Sequence, residues 1–170
     1  VVHLNSPGPT PGHDIAPIRE WRDAYDLGQP IAARWETYAS YHEKANDSWF
    51  DSADQCPVAP IFRLGIYGIN ELIELFGVVD SVQVCHSRIL TGRPTPDTAE
   101  LSLRFANGAI GNVFASLCIG DGHPYPACLV VHYQNGTIVK RQINKEGGIE
   151  RKAVFDHIDL KLNCIHNDCY

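Results

Sequence analysis

Apolar residues recur at three-and-four spacing from Ile15 to Leu27, through Ile18, Trp21, Ala24 and Tyr25, which predicts a short amphipathic helix. Asp14 offers an N-cap, Pro17 falls in the first turn and Gly28 is the stop. From Pro30 the period changes to two. Ile31, Ala33, Trp35, Thr37 and Ala39 fall on one side and Arg34, Glu36, Tyr38 and Ser40 on the other, a strand with one polar face. Residues 43 to 59 sustain neither period and read as a long loop, a class that often carries function. Pro60 then opens the most apolar helix, closed by Gly77, with Ile61, Leu64, Ile66, Ile69, Leu72, Ile73 and Phe76 as its predicted buried set. Five strand candidates follow: SVQVCHSRIL, AELSLRF, AIGNVFASLCI, CLVVHY and TIVKRQI. Asn107-Gly108 and Asn135-Gly136 predict two-residue hairpins of the left-handed turn type, so the sheet must be largely antiparallel.

This order predicts an α+β fold, an open and largely antiparallel sheet with helices on one face. The other face then needs a cover, a second domain or a second subunit, and exposed apolar side chains there would argue for at least one of them; a homo-oligomer through the sheet face is the expectation. Residues 5 to 14, rich in proline and glycine, separate residues 1–14 as a linker from a domain over 15–170. Residues 144 to 170 carry the weakest pattern.

Composition narrows the function. The chain has 170 residues, 44% of them hydrophobic, and a formal charge of −6 without any basic run, so nucleic acid is not an expected partner. No apolar stretch approaches the roughly 20 residues of a membrane span, no basic-then-apolar leader opens the chain, and scattered cysteines suit a reduced compartment. A cytoplasmic protein without membrane contact is the expectation. The absence of methionine suggests a piece of a longer chain.

Candidate chemistry concentrates on the second helix. Arg63, Tyr67, Asn70 and Glu74 lie at i, i+4, i+7 and i+11, one polar stripe on an apolar helix. A phenol beside a guanidinium can exchange a proton, although periodicity alone reads the stripe as the place where the helix meets water. Cys164, His166 and Cys169 supply soft ligands at a spacing wrong for a zinc site, so no metal is expected. No glycine-rich dinucleotide fingerprint, P-loop or nucleophile elbow occurs.

Arg63-Leu64-Gly65-Ile66-Tyr67-Gly68-Ile69-Asn70, then Leu72, Ile73, Leu75-Phe76-Gly77, Asp80-Ser81-Val82 and LSLRFANGAIGNVFASLC, resemble the C-terminal domain of Gfo/Idh/MocA oxidoreductases over roughly residues 16 to 140. The glucose-fructose oxidoreductase branch is the most similar. The resemblance implies an N-terminal Rossmann domain that binds NAD or NADP, with Val1 to Asn5 as its last strand, and a sheet domain that closes over the nicotinamide. It implies Tyr67 as the acid/base or hydroxyl-positioning residue, with Arg63, Asn70 and Trp49 lining a pocket for a sugar or related polyol or hydroxy compound. Arg63 stands where the family has an aspartate, and Val58-Ala59-Pro60 where it usually has a glycine-rich turn. An arginine there can hold a carboxylate or phosphate. This chain alone is expected to be inactive. The alternative is a non-catalytic binding or dimerisation scaffold derived from that family.

Overall fold

The computed structural model describes residues 15–40, 45–120, 128–142, 149–155 and 158–164, with side chains as far as residue 141. The expected linker over residues 1–14 and the His166 and Cys169 positions lie outside them. Helix α1 (Ala16–Ala24) and strand β1 (Pro30–Tyr38) come first. A π-helical turn (Ile61–Gly65) leads directly into α2 (Ile66–Phe76). The remaining strands are β2 (Val79–Ser87), β3 (Thr98–Phe105), β4 (Ile110–Ser116), β5 (Cys128–Tyr133), β6 (Gly136–Gln142), β7 (Ile149–Phe155) and β8 (Ile158–Cys164).

All eight strands form one sheet in the order β2-β3-β4-β1-β5-β6-β7-β8. Every pairing is antiparallel except β1 with β4, which run parallel with Ala33 opposite Gly111 and Trp35 opposite Val113. The α+β class and the open sheet are therefore as expected. Strands β7 and β8 extend it through residues whose pattern is too weak to read.

Alternation places Ala33, Trp35, Leu101, Leu103, Val113, Leu129, Val131 and Ile138 on the face that the helices cover, and all are buried. Ile18 and Trp21 of α1 and Leu72, Leu75 and Phe76 of α2 close that layer from above. The Arg19 guanidinium of α1 donates to the main-chain oxygen of Glu74, a cation placed where the last turn of α2 has carbonyls to spare. Gly77 ends α2 with φ +87° and donates its N–H to Ile73 O at 2.7 Å.

Three expectations need correction. The hairpin between β3 and β4 is a three-residue loop: Gly108 alone takes a positive φ and donates to Phe105 O, the type I turn with a bulge. The β5-β6 turn is centred on Gln134-Asn135, and neither residue nor Gly136 has a positive φ. That turn is instead held from outside, because Gln134 N–H and Asn135 N–H donate to Gln29 O and Leu27 O. On α2, Ile66 and Ile73 are not buried; they are 36% and 43% exposed.

The uncovered sheet face also differs in character. It presents Arg34, Glu36, Glu100, Ser102, Arg104 and Arg141 around half-buried Phe114, Cys128 and Val130, a mixed surface with a cavity of about 350 Å³ rather than a plain apolar one. Among the described residues no helix is long and apolar enough to cross a membrane.

Candidate active site

The residues of interest collect at the N-terminal end of α2. Pro60 and the N–H groups of Ile61 and Phe62, both bonded to Val58 O, start a widened π turn that carries Arg63. Such turns inside helices occur frequently at functional sites. Tyr67 follows in the first turn of α2 and is 45% exposed. Asn70 is half-buried and donates its amide to Glu74 Oε1 at 2.9 Å, so part of its hydrogen-bonding capacity is used within the stripe.

The long loop brings an aromatic platform to the same end. A short 3-10 turn (Trp49–Asp51) stacks Trp49 on Phe50 with ring centroids 3.7 Å apart. The Arg63 guanidinium lies 5.4 Å from the Phe50 ring centroid, within cation–π reach. Trp49, Phe50 and Arg63 are thus one connected group, with Trp49 48% exposed.

Buried polar residues hold that loop. Asp51 Oδ2 accepts the Asn46 N–H at 2.8 Å, and Arg93 Nε lies 3.6 Å from Asp51 Oδ1. Thr95 Oγ1 donates to Phe50 O at 2.8 Å. Asp97 is fully buried, and its Oδ2 accepts the N–H groups of Ile89, Leu90 and Thr91 at 2.8 to 3.0 Å. Burial pushes the Asp97 carboxyl up, but these backbone donors and the Cys118 thiol outweigh it and hold it below its ordinary value. The acceptor role in turn raises the Cys118 thiol, after burial.

Under α2 lies a polar contact that periodicity did not single out. Glu71 Oε1 accepts from Lys140 Nζ at 2.6 Å and Oε2 from Trp35 Nε1 at 3.1 Å. Lys140 is 3% exposed and shares the apolar face of β6 with Ile138. A cation at that alternation position is the one signal in the sequence that could have found it. Phe50, Asp51 and Arg93 carry no comparable signal, since loops have no period.

The comparisons with known proteins agree with this architecture. The model of the GFO/IDH/MocA C-terminal domain matches residues 15–139. An NAD-binding oxidoreductase from Klebsiella pneumoniae superposes with TM-score 0.71 at 16% identity, over 88% of this chain and 43% of that one. A levoglucosan dehydrogenase in complex with NADH and levoglucosan gives 0.67 at 18%, over 86% and 42%. An oxidoreductase from Agrobacterium radiobacter, in complex with NAD+, L-tartaric acid and magnesium, gives 0.65 at 17%, over 87% and 42%. The chain therefore spans less than half of each of these solved structures, and at such identities the likeness is one of fold. No curated protein matches it. With three quarters of its length matched by that model and its sheet shared with these structures, the chain belongs to the GFO/IDH/MocA family, as its C-terminal domain.

Proposed function

We propose that this chain is the substrate-binding and oligomerising half of an NAD(P)-dependent oxidoreductase, acting on a sugar or a related polyol or hydroxy compound. The observation that carries the reading is the outer surface of the second helix. Phe62, Ile66 and Ile73 are 49%, 36% and 43% exposed, and with half-buried Ile69 they make an apolar stripe at i, i+4, i+7 and i+11. That stripe runs beside Arg63, Tyr67 and Asn70. An apolar strip bordering polar groups is the surface of a covered cleft, and a dinucleotide-binding domain seated on it would close that cleft around Arg63, Tyr67 and Asn70.

In that arrangement the Tyr67 phenol would give or take the proton of the substrate hydroxyl. A tyrosine at this position is what aligns the chain with the glucose-fructose oxidoreductase branch. Arg63 supplies a fixed cation over Phe50, Trp49 a flat apolar wall, and Asn70 an amide for a substrate hydroxyl. A nicotinamide cofactor supplies the hydride chemistry, and its binding residues belong mainly to the partner domain. The half-buried Phe114 and Val130 among paired signs of charge on the open face support a homo-oligomer through that face, which light scattering measures.

The test is a titration of this chain with NADH and NADPH, following energy transfer from Trp21, Trp35 and Trp49. No saturation up to millimolar is expected, whereas tight binding would move the cofactor site into this chain. Joined to a dinucleotide-binding domain, the chain should turn over a sugar-like substrate. Tyr67→Phe should then lower kcat by at least about 100-fold with NADH affinity unchanged. Turnover that survived Tyr67→Phe would refute its role, and an inactive but intact oligomer would favour the scaffold reading.

A further inference from the structure

Three apolar contacts seat α2 on the sheet. At Gly68 an added Cβ would come within 2.3 Å of the Trp35 ring, so helix backbone rests directly on the indole. Leu72 meets Gly111, where an added Cβ would lie 3.0 Å from Leu72 Cδ1. Phe76 meets Phe105 edge-on at 5.1 Å. Contacts of this kind fix the spacing between layers and, at Gly68, oppose large slides, but all three lie along one line on the helix and none ties it to a strand by a directional bond.

Glu71 adds direction. Its two oxygens are held separately, Oε2 by Trp35 Nε1–H at 3.1 Å and Oε1 by Lys140 Nζ at 2.6 Å. Trp35 is on β1 and Lys140 on β6, with β5 between them, so one helical carboxylate is bonded to two strands that are not neighbours. Tyr67 stands one helical turn before Glu71 and Asn70 immediately before it. A buried ion pair adds little net stability over apolar residues of the same shape, so stability alone does not account for this one. We propose that Glu71 is a positioning residue: through Lys140 and Trp35 it sets the register of α2 along the sheet, and thereby the place of Tyr67 and Asn70. Only the functional consequence rests on the reading of Tyr67 given above; the register does not.

The experiment uses this chain labelled with 3-fluorotyrosine, the Tyr67 resonance assigned by Tyr67→Phe, together with amide exchange over residues 66–70. Glu71→Leu combined with Lys140→Met removes both charges and leaves the Trp35 Nε1–H without its acceptor, so the unfolding midpoint is expected to fall modestly while the chain stays folded. In it, the amides of Tyr67 to Asn70 should exchange at least about tenfold faster and the Tyr67 resonance should shift or split, with β3 and β4 protected as before. Glu71→Gln, which leaves one acceptor oxygen for the two donors and keeps the Trp35 ring under Gly68, should move the same readouts by less and serves if the double variant folds poorly. Parent-like exchange and a parent-like Tyr67 resonance in both variants would overturn the proposal, leaving the apolar layer as the sole source of register. Neither readout needs turnover, so failure of the proposed function and failure of this inference are separately visible.

Discussion

The two regions that meet at the candidate site are held by opposite physics. The helix side rests on an apolar layer with one buried ion pair, on strands in the middle of the sheet. The platform side, residues 45–59 and 88–97, is fixed by hydrogen bonds to buried carboxylates and a hydroxyl, Asp51, Asp97 and Thr95. Packing needs every atom in place yet no particular protonation state. A carboxylate anchor needs few atoms, but it must be charged.

The sharpest way to break that contrast is Asp97→Ala. It strands three backbone N–H groups that now share one oxygen, and removal of a charged acceptor of this kind costs about 3 kcal/mol. The loss should fall on the platform. Limited proteolysis should cut near residues 88–97 or 45–59 well before strands β3 and β4 lose amide protection, and loss of both regions together would show that they are one cooperative unit.

Titration should separate the regions from opposite ends of the pH scale. Asp97 is depressed, so the stability that it contributes is present above the ordinary carboxylate pKa near about 4 and is lost as pH falls through its lower folded value. Tyr133, buried beneath α1, is pushed up to about 12 mainly by burial, against the pull of Arg22. Its contribution is complete below the ordinary 10.0 and is lost as pH rises towards about 12, a change of about 2 to 3 kcal/mol. Urea midpoints should therefore fall below about pH 4 and above about pH 10. Tyr133→Phe should flatten the alkaline limb alone.

Gly68→Ala probes the helix side through volume. The methyl would lie 2.3 Å from Trp35 and force α2 off the sheet, at about 3 kcal/mol of overpacking. Higher helix propensity returns about 1 kcal/mol, and the net loss of about 2 kcal/mol should appear in denaturant midpoints. A neutral Gly68→Ala would mean that the helix is seated more loosely than its contact with Trp35 indicates.

Legibility in the sequence follows the same division. Alternation in β1, β3, β4 and β5 and the stop at Gly77 are local, and they placed the sheet, the helix layer and the stripe of Arg63, Tyr67 and Asn70 correctly along the chain. The outward turn of Ile66 and Ile73 was not legible, because an exposed apolar stripe has the same period as one that packs on a core. Parallel pairing of β1 with β4 joins segments some 80 positions apart, Glu71 and Lys140 are 69 apart, and Thr95 and Phe50 are 45 apart. Such pairs leave no mark on a local pattern. The π turn is invisible for another reason: it adds a residue within a helix whose composition is unchanged.

Trp49→Ala is the mildest change and the one that tells the two regions apart by function. Trp49 is 48% exposed, and the main chain of Phe50, on which it stacks, is held by the Thr95 hydroxyl. Stability should therefore change by less than about 0.5 kcal/mol, the range of ordinary surface substitutions. If Trp49 forms a wall of the substrate cleft, affinity for a sugar-like ligand in the assembled protein should drop about tenfold, equivalent to about 1.4 kcal/mol. KM should rise with kcat nearly unchanged, because a flat wall binds ground state and transition state alike. Tyr67→Phe should do the reverse. Should Trp49→Ala lower kcat instead, the platform would be taking part in closing the site over the reacting carbon, and the proposed division between a catalytic helix and a binding loop would no longer hold.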